Sequence, residues 1–127
     1  MSAKILDGRI VRDQIREKLK EKIEKLDPKP KLVIIQVGDV AESNTYILGK
    51  IKFGESIDAI VEHQKLHSDI SQESLLAQIS TLNLDKSVHG IIVQLPIPDH
   101  LNKDAIINSI STAKDVDGLT TANQNLL

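Results

Sequence analysis

After Asp7-Gly8, apolar residues at Ile10, Val11, Ile15, Leu19, Ile23 and Leu26 recur three to five positions apart with charges between them, which predicts an amphipathic helix. Pro28 and Pro30 end it, because proline lacks an N–H and disfavours helical geometry in the residue before it. Lys31 to Val37 is nearly continuous and β-branched, the composition of a strand covered on both faces. A second helix is predicted from Ser43 to about Ile57, with Ile47, Leu48 and Ile51 toward the sheet, and a further strand from Ile60 to Leu66. The rhythm then repeats. Ser71 caps a helix whose buried stripe is Leu75, Leu76, Ile79 and Leu82. Val88 to Leu95 is the strongest strand, and a short helix runs from an Asn102 cap through Ile110. Ser111 to Leu127 shows turn chemistry and weak periodicity.

Repeated strand-helix units predict an α/β chain, a three-layer α/β/α arrangement on a small, mainly parallel sheet with right-handed crossovers. Ligands of such sheets bind beyond the carboxyl ends of the strands. The segments placed there are Gly38 to Tyr46, Gln94 to Pro98 and Asp115 to Gly118.

Composition narrows the possibilities. The chain has 127 residues, with 16 Lys+Arg against 18 Asp+Glu and a net charge of −2, which argues against a nucleic-acid binder. A mean hydropathy of −0.14 fits an ordinary globular domain, for which 127 residues suffice to build one core. The absence of cysteine excludes thiol catalysis and disulfides. No apolar stretch approaches the ~20 residues of a membrane helix, and Met1-Ser2-Ala3-Lys4 begins no signal peptide, so a cytoplasmic protein without membrane partners is expected. With no Trp, one Phe and one Tyr, the core must be aliphatic and Tyr46 calls for its own explanation.

Tyr46 and Lys50 stand four residues apart on the second predicted helix, on a side distinct from its apolar stripe. Burial penalises an ammonium, so a lysine in a partly desolvated pocket can exchange protons near neutrality. On spacing alone, a solvated lysine beside a ring that covers the helix is the commoner arrangement. Gln94-Leu95-Pro96-Ile97-Pro98 ends the best strand with two prolines; the glutamine could orient a catalytic group, and the segment could equally be a stiffened exit loop. Lys114-Asp115-Val116-Asp117-Gly118 sets two carboxylates two apart, able to accept hydrogen bonds from an amino-bearing ring or simply to form a solvated turn.

Other chemistries fail on the sequence. No G-x-G-x-x-G exists, and Gly49-Lys50 lacks both the earlier glycine and the following Ser/Thr of a phosphate loop, which disfavours a flavodoxin-like phosphate binder. His63 and His67 lie ~13 Å apart if extended, too far to share a metal ion. No metal site is expected. No G-x-S-x-G elbow is present.

Taken in order, Ser43-Asn44-Thr45-Tyr46, Lys50, Val88 to Pro98 and Lys114-Asp115-Val116-Asp117-Gly118-Leu119 resemble the bifunctional methylenetetrahydrofolate dehydrogenase/methenyltetrahydrofolate cyclohydrolase family, as do Ala3 to Gly8 and Val37-Gly38. The resemblance covers essentially the whole chain and implies its N-terminal, folate-binding catalytic domain. It implies that Lys50 transfers protons as water adds to the methenyl carbon and the ring opens to 10-formyltetrahydrofolate. Tyr46 would stack on the aminobenzoyl ring, Gln94 would tune the lysine, and Asp117 would grip the pterin's amino and ring N–H groups. Ser43 would lie near the lysine, and Leu95, Pro96 and Pro98 would line the folate site. A planar donor ring suits a carboxylate through paired, charge-assisted hydrogen bonds.

The resemblance also implies a second domain that binds NADP or NAD, and the chain ends at Leu127 before any such sequence. Residues 1–119 are therefore expected to be the folate-binding domain and 120–127 a loosely held start of the connection. Little or no dehydrogenase activity and at most slow cyclohydrolase activity are expected of the chain alone. The resemblance implies that full-length members are homodimers with contacts largely in the second domain, which leaves the oligomeric state of this chain open, a monomer included. Asp58 stands where the family usually has glycine at a helix end, an unusual cap. The competing reading is a non-catalytic folate-binding or interaction module of the same fold.

Overall fold

In the computed structural model, which describes residues 3–127, the β-branched run Lys31–Val37 forms β1, the central strand of a three-stranded sheet. Met1 and Ser2, where the absence of a signal peptide was read, lie outside the described residues. Strands β2 (Ile60–Leu66) and β3 (Gly90–Val93) flank β1 in the order β2-β1-β3, both parallel to it. The expected α/β class and parallel sheet are thus present. The third strand is shorter than the Val88 to Leu95 expected, although single ladder bonds extend it, from His89 N–H to the Lys31 carbonyl and from Gln94 N–H to the Ile35 carbonyl. Pro96, with no N–H, cannot carry the ladder further.

Alternation along the strands splits the interior into two layers. Val33, Ile35, Val37, Ile91 and Val93 pack with Leu75, Ile79 and Leu82 of α3 (Gln72–Leu84) and with Ile106 and Ile107 of α4 (Lys103–Asn108). On the other face, Ile34 and Ile92 meet Ile47 of α2 (Ala41–Ser56), with Leu32, Ile51 and Val61 partly buried around them. Helix α2 comes close to β2 at Gly54, where an added Cβ would collide with the Val61 side chain. Two predicted caps form as expected, Ser71 accepting from Ser74 N–H at 3.1 Å and Asn102 from Ala105 N–H at 3.0 Å.

Three local expectations are corrected. Helix α1 (Gly8–Glu24) has the expected span, capped by Asp7, but of its apolar stripe Ile23 is buried while Ile10, Val11 and Ile15 stand exposed. Its C-terminal half meets α2, where Arg16 lies 5.8 Å from the centre of the Phe53 ring. Leu48 is likewise half exposed, because Ile47 alone of that pair points at the sheet. The start of the segment after Leu119 is held more firmly than expected, since Thr120 is buried and caps a short turn, α5 (Thr121–Gln124), by accepting from Asn123 N–H at 3.2 Å, while Leu126 and Leu127 stand exposed.

The end of α2 answers the question raised by Asp58. Ala59 N–H bonds the Gly54 carbonyl at 2.9 Å and Asp58 N–H the Glu55 carbonyl at 3.1 Å, the paired bonds of a Schellman cap. Asp58 fills the left-handed position at φ 66°, normally a glycine's place, and Lys29 Nζ lies 3.0 Å from its carboxylate. Among the described residues no helix is long and apolar enough to cross a membrane.

Candidate functional site

Helix α2 begins without a side-chain cap, since Val40 occupies the cap position. Asn44 fastens its first turn instead. It donates to Asp39 Oδ1 at 2.7 Å and accepts from Gln36 Nε2 at 2.7 Å, while Gln36 Oε1 pairs with His63 Nε2 at 2.9 Å. Lys65 Nζ reaches the same Asp39 oxygen at 2.7 Å. The Asp39 carboxyl is held below the usual carboxylate range, first by the Asn44 hydrogen bond and then by Lys65. Gln36 is 2% exposed on the central strand, a polar group whose amide is satisfied on both sides.

With its first turn fixed, α2 carries Ser43, Tyr46 and Lys50 along the carboxyl end of the sheet. Lys50 Nζ donates to Gln94 Oε1 at 2.9 Å, joining the helix to the residue after β3. The Gln94 amide also donates to the Leu95 carbonyl at 3.4 Å, and buried Ser43 Oγ donates to that same carbonyl at 3.4 Å. Tyr46, one turn before Lys50, is 66% exposed with its ring free to meet a ligand. Tyr46, Lys50 and Gln94 sit at one end of an apolar trough of about 1260 Å³ that continues past Phe53, Ile92 and Val116 to Leu19 and Ile57.

The other predicted residues fall beside this trough. Leu95, Pro96 and Pro98 line an adjoining cavity of about 520 Å³, and the Leu95-Pro96 peptide bond is cis. Asp117 lines neither cavity; it stands exposed on the loop next to Val116, whose side chain borders the trough. The structure therefore gathers Ser43, Tyr46, Lys50 and Gln94 and leaves Asp117 at the rim.

Residue reading from the sequence did not find the chain of Gln36, Asn44 and His63, with His63 considered only as a metal ligand beside His67. The signal for Gln36 was a lone amide in a β-branched strand, where burial demands partners. The same reading took Asp115 only as one of a pair of carboxylates with Asp117. Asp115 is 9% exposed, and its carboxylate accepts from Leu119 N–H at 3.2 Å, Thr120 N–H at 2.9 Å and Asn123 Nδ2 at 2.9 Å. Burial works to raise this carboxyl, and the bonds from Asn123, Thr120 and Leu119 outweigh it, holding it below the ordinary range.

The family described as tetrahydrofolate dehydrogenase/cyclohydrolase, catalytic domain, matches residues 6–117. The bifunctional protein FolD of Acholeplasma laidlawii is 45% identical over 123 residues, which are 97% of this chain and 44% of that protein. Among solved structures, the bifunctional FolD methylenetetrahydrofolate dehydrogenase/cyclohydrolase of Campylobacter jejuni superposes with a TM-score of 0.94 at 43% identity, covering 98% of this chain and 45% of that one. The Trypanosoma brucei FolD, solved with NADP and an inhibitor, gives a TM-score of 0.91 at 31% identity over 98% of this chain and 44% of that one. The chain thus spans less than half the length of these relatives. With the family match extending over most of its residues, the chain belongs to the tetrahydrofolate dehydrogenase/cyclohydrolase family and corresponds to its catalytic domain.

Proposed function

We propose that this chain binds a reduced folate of one-carbon metabolism at the carboxyl end of its sheet and that its chemistry is the cyclohydrolase half of the relatives' bifunctional activity. The observation that carries this reading is the 2.9 Å hydrogen bond from Lys50 to Gln94, set one helical turn from the exposed Tyr46 ring. In this reading Tyr46 offers its face to the aminobenzoyl ring, Asp117 accepts hydrogen bonds from the pterin's donors, and Leu95, Pro96 and Pro98 border the ligand. A water molecule adds its oxygen to the methenyl carbon and gives a proton to Lys50 Nζ. The bond from that carbon to N5 then breaks as N5 takes up the proton held by Lys50, the hydroxyl on the carbon loses its own proton to solvent as the formyl C=O forms, and 10-formyltetrahydrofolate is left with one proton released overall. Gln94 keeps the lysine nitrogen aimed by accepting one of its N–H bonds. Ser43, bonded to the Leu95 carbonyl, holds the exit of β3 against α2.

The dehydrogenase half requires NADP or NAD, and the residues here do not fit a dinucleotide. The turn from β1 into α2 places the Asp39 carboxylate, tied to Asn44 and Lys65, where a pyrophosphate would need positive charge or bare N–H groups. No step of this reading therefore runs through a nicotinamide. Residues 1–119 form the folate domain in this proposal.

Ligand-induced stabilisation tests the reading, because a ligand of the native state raises the melting temperature. Saturating 5-formyltetrahydrofolate is expected to raise it by several degrees. No shift at saturation favours a non-catalytic module of the same fold and overturns the proposal.

A further inference from the structure

Asp117 is the one charged ligand group of the proposal that a loop carries, so something must fix where it points. Among the described residues its carboxylate accepts no hydrogen bond and makes no ion pair. The loop is instead tied down on both sides of it. Before it, Lys114 Nζ donates to the Leu82 carbonyl at 3.0 Å and the Asp85 carbonyl at 2.8 Å, and the Lys114 carbonyl accepts from Ile91 N–H of β3 at 2.8 Å. After it, Gly118 turns the chain at φ 68° and the next two amides, Leu119 and Thr120, both point at the Asp115 carboxylate.

Asn123 closes the arrangement. Its Nδ2 donates both to Asp115 Oδ2 at 2.9 Å and to the Thr112 carbonyl at 3.0 Å, tying the arm after Asp117 to two points of the arm before it. Its backbone is placed by the Thr120 cap, and Thr121 N–H is bound by Asn108 Oδ1 at 2.7 Å. The Asp117 loop is therefore clasped at its base by one buried carboxylate and one amide, with backbone bonds from Val116 N–H to the Lys114 carbonyl at 3.0 Å and from Gly118 N–H to the Asp115 carbonyl at 3.4 Å, and with the Asp117 carboxylate free.

We infer that Asp115 and Asn123 are positioning residues for the folate site: their clasp fixes the Val116 to Gly118 apex and so aims the Asp117 carboxylate at the pterin. The inference rests on the proposed folate reading and deepens it. Paired hydrogen bonds to a planar ring are sensitive to direction, so a loop that samples several orientations loses affinity even when the carboxylate is intact. A carboxylate held by three donors is a stiff support, since each bond to a charged acceptor is stronger than a neutral one. The clasp touches neither Lys50 nor Gln94, so its effect should be confined to the pterin end of the ligand.

A double-mutant cycle on the chain tests this, with 5-formyltetrahydrofolate as the probe and its Kd read by titration calorimetry. Asn123→Ala is expected to weaken binding roughly three- to tenfold, less than loss of the carboxylate itself, because it loosens the aim of Asp117 and leaves the acceptor in place. Added to Asp117→Ala it should cost nothing more, because the aimed group is gone; added to Lys50→Met it should cost its full factor. Asp115→Asn, which keeps the shape and one acceptor oxygen, serves as a second probe with the same pattern. Equal multiplication of the effect in the Asp117→Ala and Lys50→Met backgrounds, or an unchanged Kd for folded Asn123→Ala, overturns the positioning role while the folate reading stands. No binding by the parent chain overturns the folate reading itself and this inference with it.

Discussion

On the face covered by α3 and α4, Leu75, Ile79 and Ile106 close against Val33, Ile35 and Ile91 with no accessible surface left, whereas on the α2 face the buried set is Ile34, Ile47 and Ile92 and the surface beyond opens into the trough. The same central strand serves both faces. Its residues facing α3 are Val33, Ile35 and Val37, while its residues facing α2 end in Gln36, which lies beside Gln94 where β1 and β3 leave the ladder. The difference teaches where stability and chemistry are kept. One face supplies the close-packed core, and the other exchanges part of its packing for amides that hold α2 and Lys50 in place.

Truncation on the closed face should break this comparison most visibly. Leu75→Ala or Ile79→Ala is expected to cost about 2–5 kcal/mol of unfolding free energy in urea titrations, while Leu48→Ala, at a half-exposed position of α2 turned away from the sheet, should stay within about 0.5 kcal/mol. Equal losses on both sides would erase the distinction. On the open face the larger effect should fall on binding: Asp117→Ala is expected to weaken 5-formyltetrahydrofolate at least tenfold in calorimetry, the value of a hydrogen bond to a charged group, with the melting temperature unchanged.

Gly54→Ala probes the seam between the two kinds of surface. A Cβ there meets the Val61 side chain, so α2 must shift from β2, at about 1–3 kcal/mol in thermal melts and with weakened folate binding as Tyr46 and Lys50 move. The smallest effect is a gain. Asp58→Gly relieves the left-handed strain at the end of α2 and should add about 1 kcal/mol without altering the folate Kd. A loss of stability would mean that the Lys29 contact outweighs the backbone strain.

Much of this division was legible in the chain. Continuous β-branched runs, the alternation in Ile60 to Leu66 and period-3.6 apolar stripes placed the three strands and the helices that cover them, because burial of aliphatic side chains dictates each pattern. The residues alone put Tyr46 and Lys50 on a helix face and Gln94 at a strand exit of a parallel sheet, and it was the family resemblance that grouped the three. The exposure of Ile10, Val11 and Ile15 did not, since a helical stripe reveals amphipathicity but not whether anything covers it. Nor did the Asn44 fastening of α2 or the Asp115–Asn123 clasp, as long-range bonds between polar side chains leave no periodic trace.

The central claim is that the unfinished face is a folate site worked by Lys50. Its most direct test is the decay of 5,10-methenyltetrahydrofolate absorbance in the presence of the chain and of Lys50→Met, each corrected for the buffer rate. Slow hydrolysis above buffer by the parent chain, abolished in a folded Lys50→Met variant that still binds 5-formyltetrahydrofolate, is the predicted result. Unchanged hydrolysis by Lys50→Met would contradict it.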